Sequence, residues 1–161
     1  MRILGIDPGF ERLGIAILEK NKEDKKERVI FSECFNTSAN LDFPDRLSLI
    51  GRELREKIKK YKPEILAVET LFLSTNQKTA MRVAETRGVI IYEGTLAKLQ
   101  IVELSPLQVK MSITGYGRAD KKQILKMVKM LVELEDGKKS DDELDAIAIA
   151  LSAFSHTRTL G

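Results

Sequence analysis

The chain is poor in the residues that staple a fold together. Cys34 is its only cysteine, so no internal disulfide can form and a reducing compartment, the cytoplasm, is expected. It has no tryptophan, four prolines and ten glycines in 161 residues, a composition that excludes collagen-like and low-complexity chains. No apolar run approaches the roughly 20 residues of a membrane span. The opening stretch, MRILGIDPG, has too short an apolar core for a secretory leader and is interrupted by Asp7. Charge of one sign is also lacking: 27 Lys and Arg stand against 24 Asp and Glu, a net +3. That balance is compatible with nucleic acid without demanding it. What the chain does have is 43% hydrophobic residues, enough for one full core at this length. A single domain over residues 1–155 is expected, with 156–161 as a C-terminal tail that leaves His156, the lone histidine, in solvent.

The apolar patterning reads as an α/β domain. Runs at 2–7, 13–19 and 28–35 predict three strands, with the charged stretch NKEDKKER as the tip between the second and third. Leu47, Ile50, Leu54, Ile58 and Tyr61 recur at helical spacing and predict a helix over 45–61, ended by Pro63. A strand follows at 64–70 and a helix at 76–97, which Gly88 and Gly94 are expected to divide. Then come a strand at 100–105 and a short helix at 106–113. Helices at 121–134 and 141–154 complete the chain, after a loop at 114–120. The first three strands suit an antiparallel meander and the later two, joined through helices, suit parallel pairing. The expected architecture is a mixed five-stranded sheet, in βββαβαβ order, flanked by helices.

Within this pattern four acids stand against the apolar grain. Asp7 ends one buried strand and Glu69 another, while Asp142 and Asp145 open the helix DELDAIAIALSAF. A buried carboxylate is costly unless paired or bound to a cation. Acids three apart on a helix project the same way, so all four can meet if the helix crosses the two strands. Divalent cations would offset the repulsion, and an all-oxygen set suits Mg²⁺ or Mn²⁺ rather than zinc. Each acid also has an ordinary reading. Asp7 before Pro8-Gly9 suits a turn, Glu69 suits a strand end in water, and Ser140-x-x-Glu143 fits a capping box with Asp142 in the first turn. Those readings explain Asp145 poorly.

Two basic segments accompany the acids. One carries Phe72, Asn76, Gln77, Lys78, Arg82 and Arg87, a mixture suited to base stacking and phosphate contacts. The other crowds Arg118, Lys121, Lys122, Lys126 and Lys129 around a loop with two glycines. Lys110 and Lys121 are placed to reach the acids and a scissile phosphate. Solvated charge for the lysine stripe and core packing for Phe72 and Cys34 are the plain alternatives.

Five segments, MRILGIDPGFERLGIAIL, AVETLF, NQKTAMRVAETRGVII, LSPLQVKMSITGYGRADKKQI and SDDELDAIAIA, resemble the RuvC Holliday-junction resolvases in order and spacing. The resemblance implies an RNase H-like fold and a Mg²⁺-dependent homodimer that nicks two strands of like polarity in a four-way DNA junction. It places the family's catalytic and metal-binding acids on Asp7, Glu69, Asp142 and Asp145, with Asp141 and Glu143 as neighbouring acids. The junction-centre aromatic falls on Phe72, and the basic residues beside the scissile phosphate fall on Lys110 and Lys121. Asn76, Lys78, Arg82, Arg118 and Lys122 complete the expected DNA contacts. It further implies two ions per site, in which Mn²⁺ substitutes for Mg²⁺, and a branch-migration motor complex of the RuvA and RuvB type as partner. Three rivals follow from the same residues: a YqgF-like nuclease of the same fold acting on RNA, an actin- or sugar-kinase-like ATPase, whose phosphate hairpin reads similarly but whose fold needs two such lobes in a far longer chain, and a junction-binding module without catalysis.

Overall fold

The computed structural model describes residues 1–21, 23–70, 77–134 and 139–158. Strands β1 (Arg2–Asp7), β2 (Arg12–Glu19) and β3 (Arg28–Asn36) form the antiparallel meander. Helix α1 (Phe43–Tyr61) leads to β4 (Ile65–Glu69), and α2 (Gln77–Leu96) to β5 (Gln100–Leu104). Helices α3 (Pro106–Thr114), α4 (Lys121–Leu131) and α5 (Asp141–Arg158) follow. The sheet runs β3-β2-β1-β4-β5, with β4 parallel to both β1 and β5.

Because side chains alternate across a strand, the sheet sorts its residues into two cores. Leu4, Ile6, Leu13, Ile15, Ile17, Leu66 and Val68 pack beneath α1 and α2 with Ile50, Leu54 and Ile90. Ile3, Ala16, Leu18, Ile65 and Ala67 face α5, whose Ala146, Ile147, Ala150 and Phe154 are almost wholly buried. Two glycines let that helix lie hard on the sheet. A Cβ on Gly5 would come 2.3 Å from the Ala146 carbonyl oxygen, and one on Gly14 would come 2.2 Å from that of Asp142. Any side chain there would push α5 away from β1 and β2.

Four expectations change. The 76–97 segment is not divided at its glycines: α2 is continuous, and Gly94 is where the helix presses on Leu66 and Ile101. Helix 121–134 stops at Leu131, because the chain turns extended to bury Val132 and Glu133 pairs with the backbone of Glu27 and Val29. Cys34 is not a core residue. It is half-buried on the α5 side of β3, with Sγ 3.6 Å from Asp142 Oδ2. Helix α5 runs on to Arg158, so His156 is helical and its Nε2 lies 3.2 Å from Gln108 Nε2.

Candidate active site

Strand alternation carries two acids to the α5 side. Ile3, Gly5 and Asp7 point one way along β1, as Ile65, Ala67 and Glu69 do along β4. The parallel register pairs Ile6 with Val68, so Asp7 and Glu69 emerge side by side at the C-terminal ends of adjacent strands. Helix α5 crosses above them. Asp7, Glu69 and Asp145 line a cleft of about 240 Å³, closed by Lys110 of α3, Lys121 of α4 and the apolar Pro106, Val109, Ile124, Ala148 and Ile149.

The electrostatics of these acids differ. Burial, then the charges of Asp145, Glu69 and Asp142, push Asp7 up to about 7. Burial and the Asp145 charge raise Glu69, against the pull of Lys110. Asp145 is raised by burial, although Lys121 donates to its Oδ2 at 3.0 Å. Asp142 goes the other way. Burial opposes its ionisation, but hydrogen bonding and charge from Arg12 outweigh that and hold it below the usual carboxylate range. The Arg12 Nε and Nη2 both donate to Asp142 Oδ2, at 2.9 and 2.5 Å, and Asp142 is not part of the cleft lining.

The other acids of α5 are engaged elsewhere. The capping box forms as read: Ser140 N donates to Glu143 Oε2 at 2.9 Å, and Glu143 N to Ser140 Oγ at 3.3 Å. Glu143 also accepts from Ser32 Oγ, which directs it toward β3. Asp141 is exposed, 3.5 Å from the Lys121 ammonium.

The expected DNA contacts fall into groups. Lys110 and Lys121 are in the cleft, while Arg118, just before α4, and Lys122, in its first turn, are exposed. Lys78 and Arg82 line a second depression, where the Arg82 guanidinium lies 3.9 Å from the centre of the Phe43 ring. Phe72 and Asn76 lie outside the described residues. Arg87 is turned inward: its Nε donates to the Glu69 carbonyl at 2.9 Å and its Nη2 pairs with Glu103.

Sequence reading missed Arg12, Phe10, Phe43 and Arg46. Buried Arg46 stacks on Phe10 and donates to the Thr37 hydroxyl and carbonyl, while that hydroxyl donates to the Phe10 carbonyl. This ties down the turn that Asp7 opens. A signal for Arg12 was present, since period-2 counting from Ala16 through Gly14 puts it on the face of the acids.

Carboxylates at the ends of neighbouring parallel strands, crossed by a C-terminal helix in a β3-β2-β1-β4-β5 sheet, define a domain of the RNase H-like class. The family model described as Crossover junction endodeoxyribonuclease RuvC matches residues 3–153. Proteins of that name from Caldicellulosiruptor saccharolyticus and Halothermothrix orenii are 48% and 46% identical over 151 residues, covering 94% of this chain and 90% of theirs. The structure of Thermus thermophilus RuvC in complex with a Holliday junction substrate superposes with a TM-score of 0.91 at 28% identity, covering 99% of this chain and 96% of that one. The chain belongs to the RuvC family of crossover junction endodeoxyribonucleases.

Proposed function

We propose that the protein is a structure-selective DNA endonuclease that resolves Holliday junctions. It makes paired, symmetric nicks in strands of like polarity by metal-assisted phosphodiester hydrolysis, in recombination and repair. The observation that carries the chemistry is the pair Asp7 and Glu69. Burial raises both, and among the described residues no hydrogen bond or ion pair to either carboxylate appears. Buried acids left in this state suit a hard cation, and the acidic ligands that line the cleft are all carboxylate oxygens.

Asp7, Glu69 and Asp145 are the residues that would hold Mg²⁺ or Mn²⁺, with Asp142 as the fourth ligand. Among the described residues no three acids converge on a common point; Lys121 draws Asp145 aside and Arg12 draws Asp142. Two such ions, once bound, supply an activated water and stabilisation of the leaving 3′ oxygen. The chain's own residues do the rest. Asp7 and Glu69 fix the reacting position on rigid strand ends. Lys121 and Lys110 contact the scissile phosphate and offset charge that develops on it. Arg118, Lys122, Lys78 and Arg82, with Phe72 and Asn76, contact the arms and centre of the junction. A homodimer would set two clefts for the two strands, and exposed Met81, Tyr92 and Leu96 on α2 offer apolar area for that contact. A branch-migration motor complex of the RuvA and RuvB type is the proposed partner, and the cytoplasm the proposed location.

The test is single-turnover cleavage of a synthetic four-way junction beside a linear duplex, in Mg²⁺ and in EDTA. Symmetric nicks confined to the junction and dependent on metal are expected. Tight binding without a cut in Mg²⁺ or Mn²⁺ would overturn the catalytic reading, and cutting of structured RNA in preference would redirect it.

A further inference from the structure

Asp142 sits in the first turn of α5, brought down on β2 by the missing side chain of Gly14. Arg12 stands on the same face at the start of β2, five residues after Asp7. Its guanidinium uses two nitrogens on one carboxylate oxygen. The Arg12 side chain is nonetheless 57% exposed, against 23% for Asp142. A planar fork of donors, open to water at the rim of a nuclease cleft, suits a phosphate as well as it suits a carboxylate. The second partner of Asp142, the Cys34 thiol, is a weak donor whose Sγ lies 3.6 Å from Oδ2.

We propose that Arg12 is a releasable counter-ion. It holds Asp142 aside in the free protein and passes to a DNA phosphate when the substrate arrives. Asp142 is then offered to metal only on DNA. The proposal rests on the reading of the cleft as a metal site. Its consequence is reciprocal coupling: DNA tightens metal binding and metal tightens DNA binding, with Arg12 as the carrier. Lys121 stands in a similar relation to Asp145 within the cleft lining, whereas Arg12 and Asp142 lie outside that lining.

The test is Mn²⁺ binding to the DNA-free protein, read as loss of the free-ion electron paramagnetic resonance signal. Arg12→Gln should bind Mn²⁺ on the order of tenfold more tightly than wild type, since a screened positive charge beside a ligand has gone. Arg12→Lys, which keeps the charge, should stay near wild type. Arg12→Gln combined with Asp142→Asn should lose the gain. In EDTA, Arg12→Gln should also bind a four-way junction with a salt dependence shallower by about one phosphate contact. Wild-type binding of Mn²⁺ with no change in Arg12→Gln would overturn the proposal and leave the metal site standing. So would an unchanged salt dependence. No Mn²⁺ binding by wild type or by Arg12→Gln would overturn the metal site and the proposal together.

Discussion

The two halves of the acid cluster are built on opposite terms. The strand half, Asp7 and Glu69, is placed by β-sheet register and has no direct hydrogen bond or ion pair from the described residues, so burial and repulsion from neighbouring acids raise both carboxyls against the weaker pull of Lys121 and Lys110. The helix half, Asp142 and Asp145, comes with cations of its own, Arg12 and Lys121. A rigid acid without a partner is a standing cost to the fold and a ready ligand. A paired acid is eased by its cation, fully for Asp142 and in part for Asp145, and must exchange that partner to act. The strand half therefore holds the strain of the site, and the helix half holds its adjustability.

Asp7→Asn is the strongest way to break that contrast. Cleavage of a four-way junction should fall about 10³-fold or more, with junction binding in EDTA retained. Stability should move the other way. The folded protein holds the Asp7 proton to about pH 7, against 3.8 for the ordinary group. Stability from this raised group is full below the unfolded value and is lost as pH rises through the folded one. Without metal, Asp7→Asn should therefore be more stable than wild type by about 2–4 kcal/mol at pH 8, shrinking below about 1 kcal/mol at pH 4. Urea unfolding in EDTA at the two pH values checks this, and equal stability at pH 8 would reject the strained acid.

Lys121→Ala tests the helix half with a smaller effect. The single-turnover rate should fall on the order of 10²-fold, as for loss of one group acting on the reacting phosphate. Asp145 also loses the donor that opposes its raised pKa, so the pH at which cleavage rises should move upward. An unchanged rate would remove Lys121 from the reaction.

How much of this was legible depended on whether a residue's partner was near in pattern or only near in space. The sequence of elements and the places of Asp7 and Glu69 at strand ends follow from period-2 alternation and short connections, whereas the β1–β4 pairing that sets them side by side does not. The α5 acids were legible as residues but not as a pair, because i and i+3 spacing gives a shared direction without saying which cation each will meet. Arg12 meets Asp142 across 130 residues of chain, and only the close approach at Gly14 brings them together. Arg87 read as a phosphate contact because it is a cation among cations, yet packing of α2 on the sheet turns it to the Glu69 carbonyl. Helix 121–134 overran because Lys and Leu favour a helix to its end, while burial of Val132 and pairing of Glu133 took the chain out of it.

Ser140→Ala gives the smallest effect and separates the halves most finely. Ser140 and Glu143 cap α5 reciprocally, and loss of such a cap costs about 1 kcal/mol. Fraying reaches the first turn before the second, so Asp142 should loosen while Asp145, one turn deeper, stays. Asp7 and Glu69 are on strands and should not move at all. The global unfolding midpoint should then fall slightly. Amide hydrogen exchange should quicken in the first turn of α5 and stay unchanged at the ends of β1 and β4. Cleavage should fall by less than in Lys121→Ala. If exchange quickens at the strand ends as well, the cluster is one cooperative unit and the division between rigid and adjustable halves is wrong.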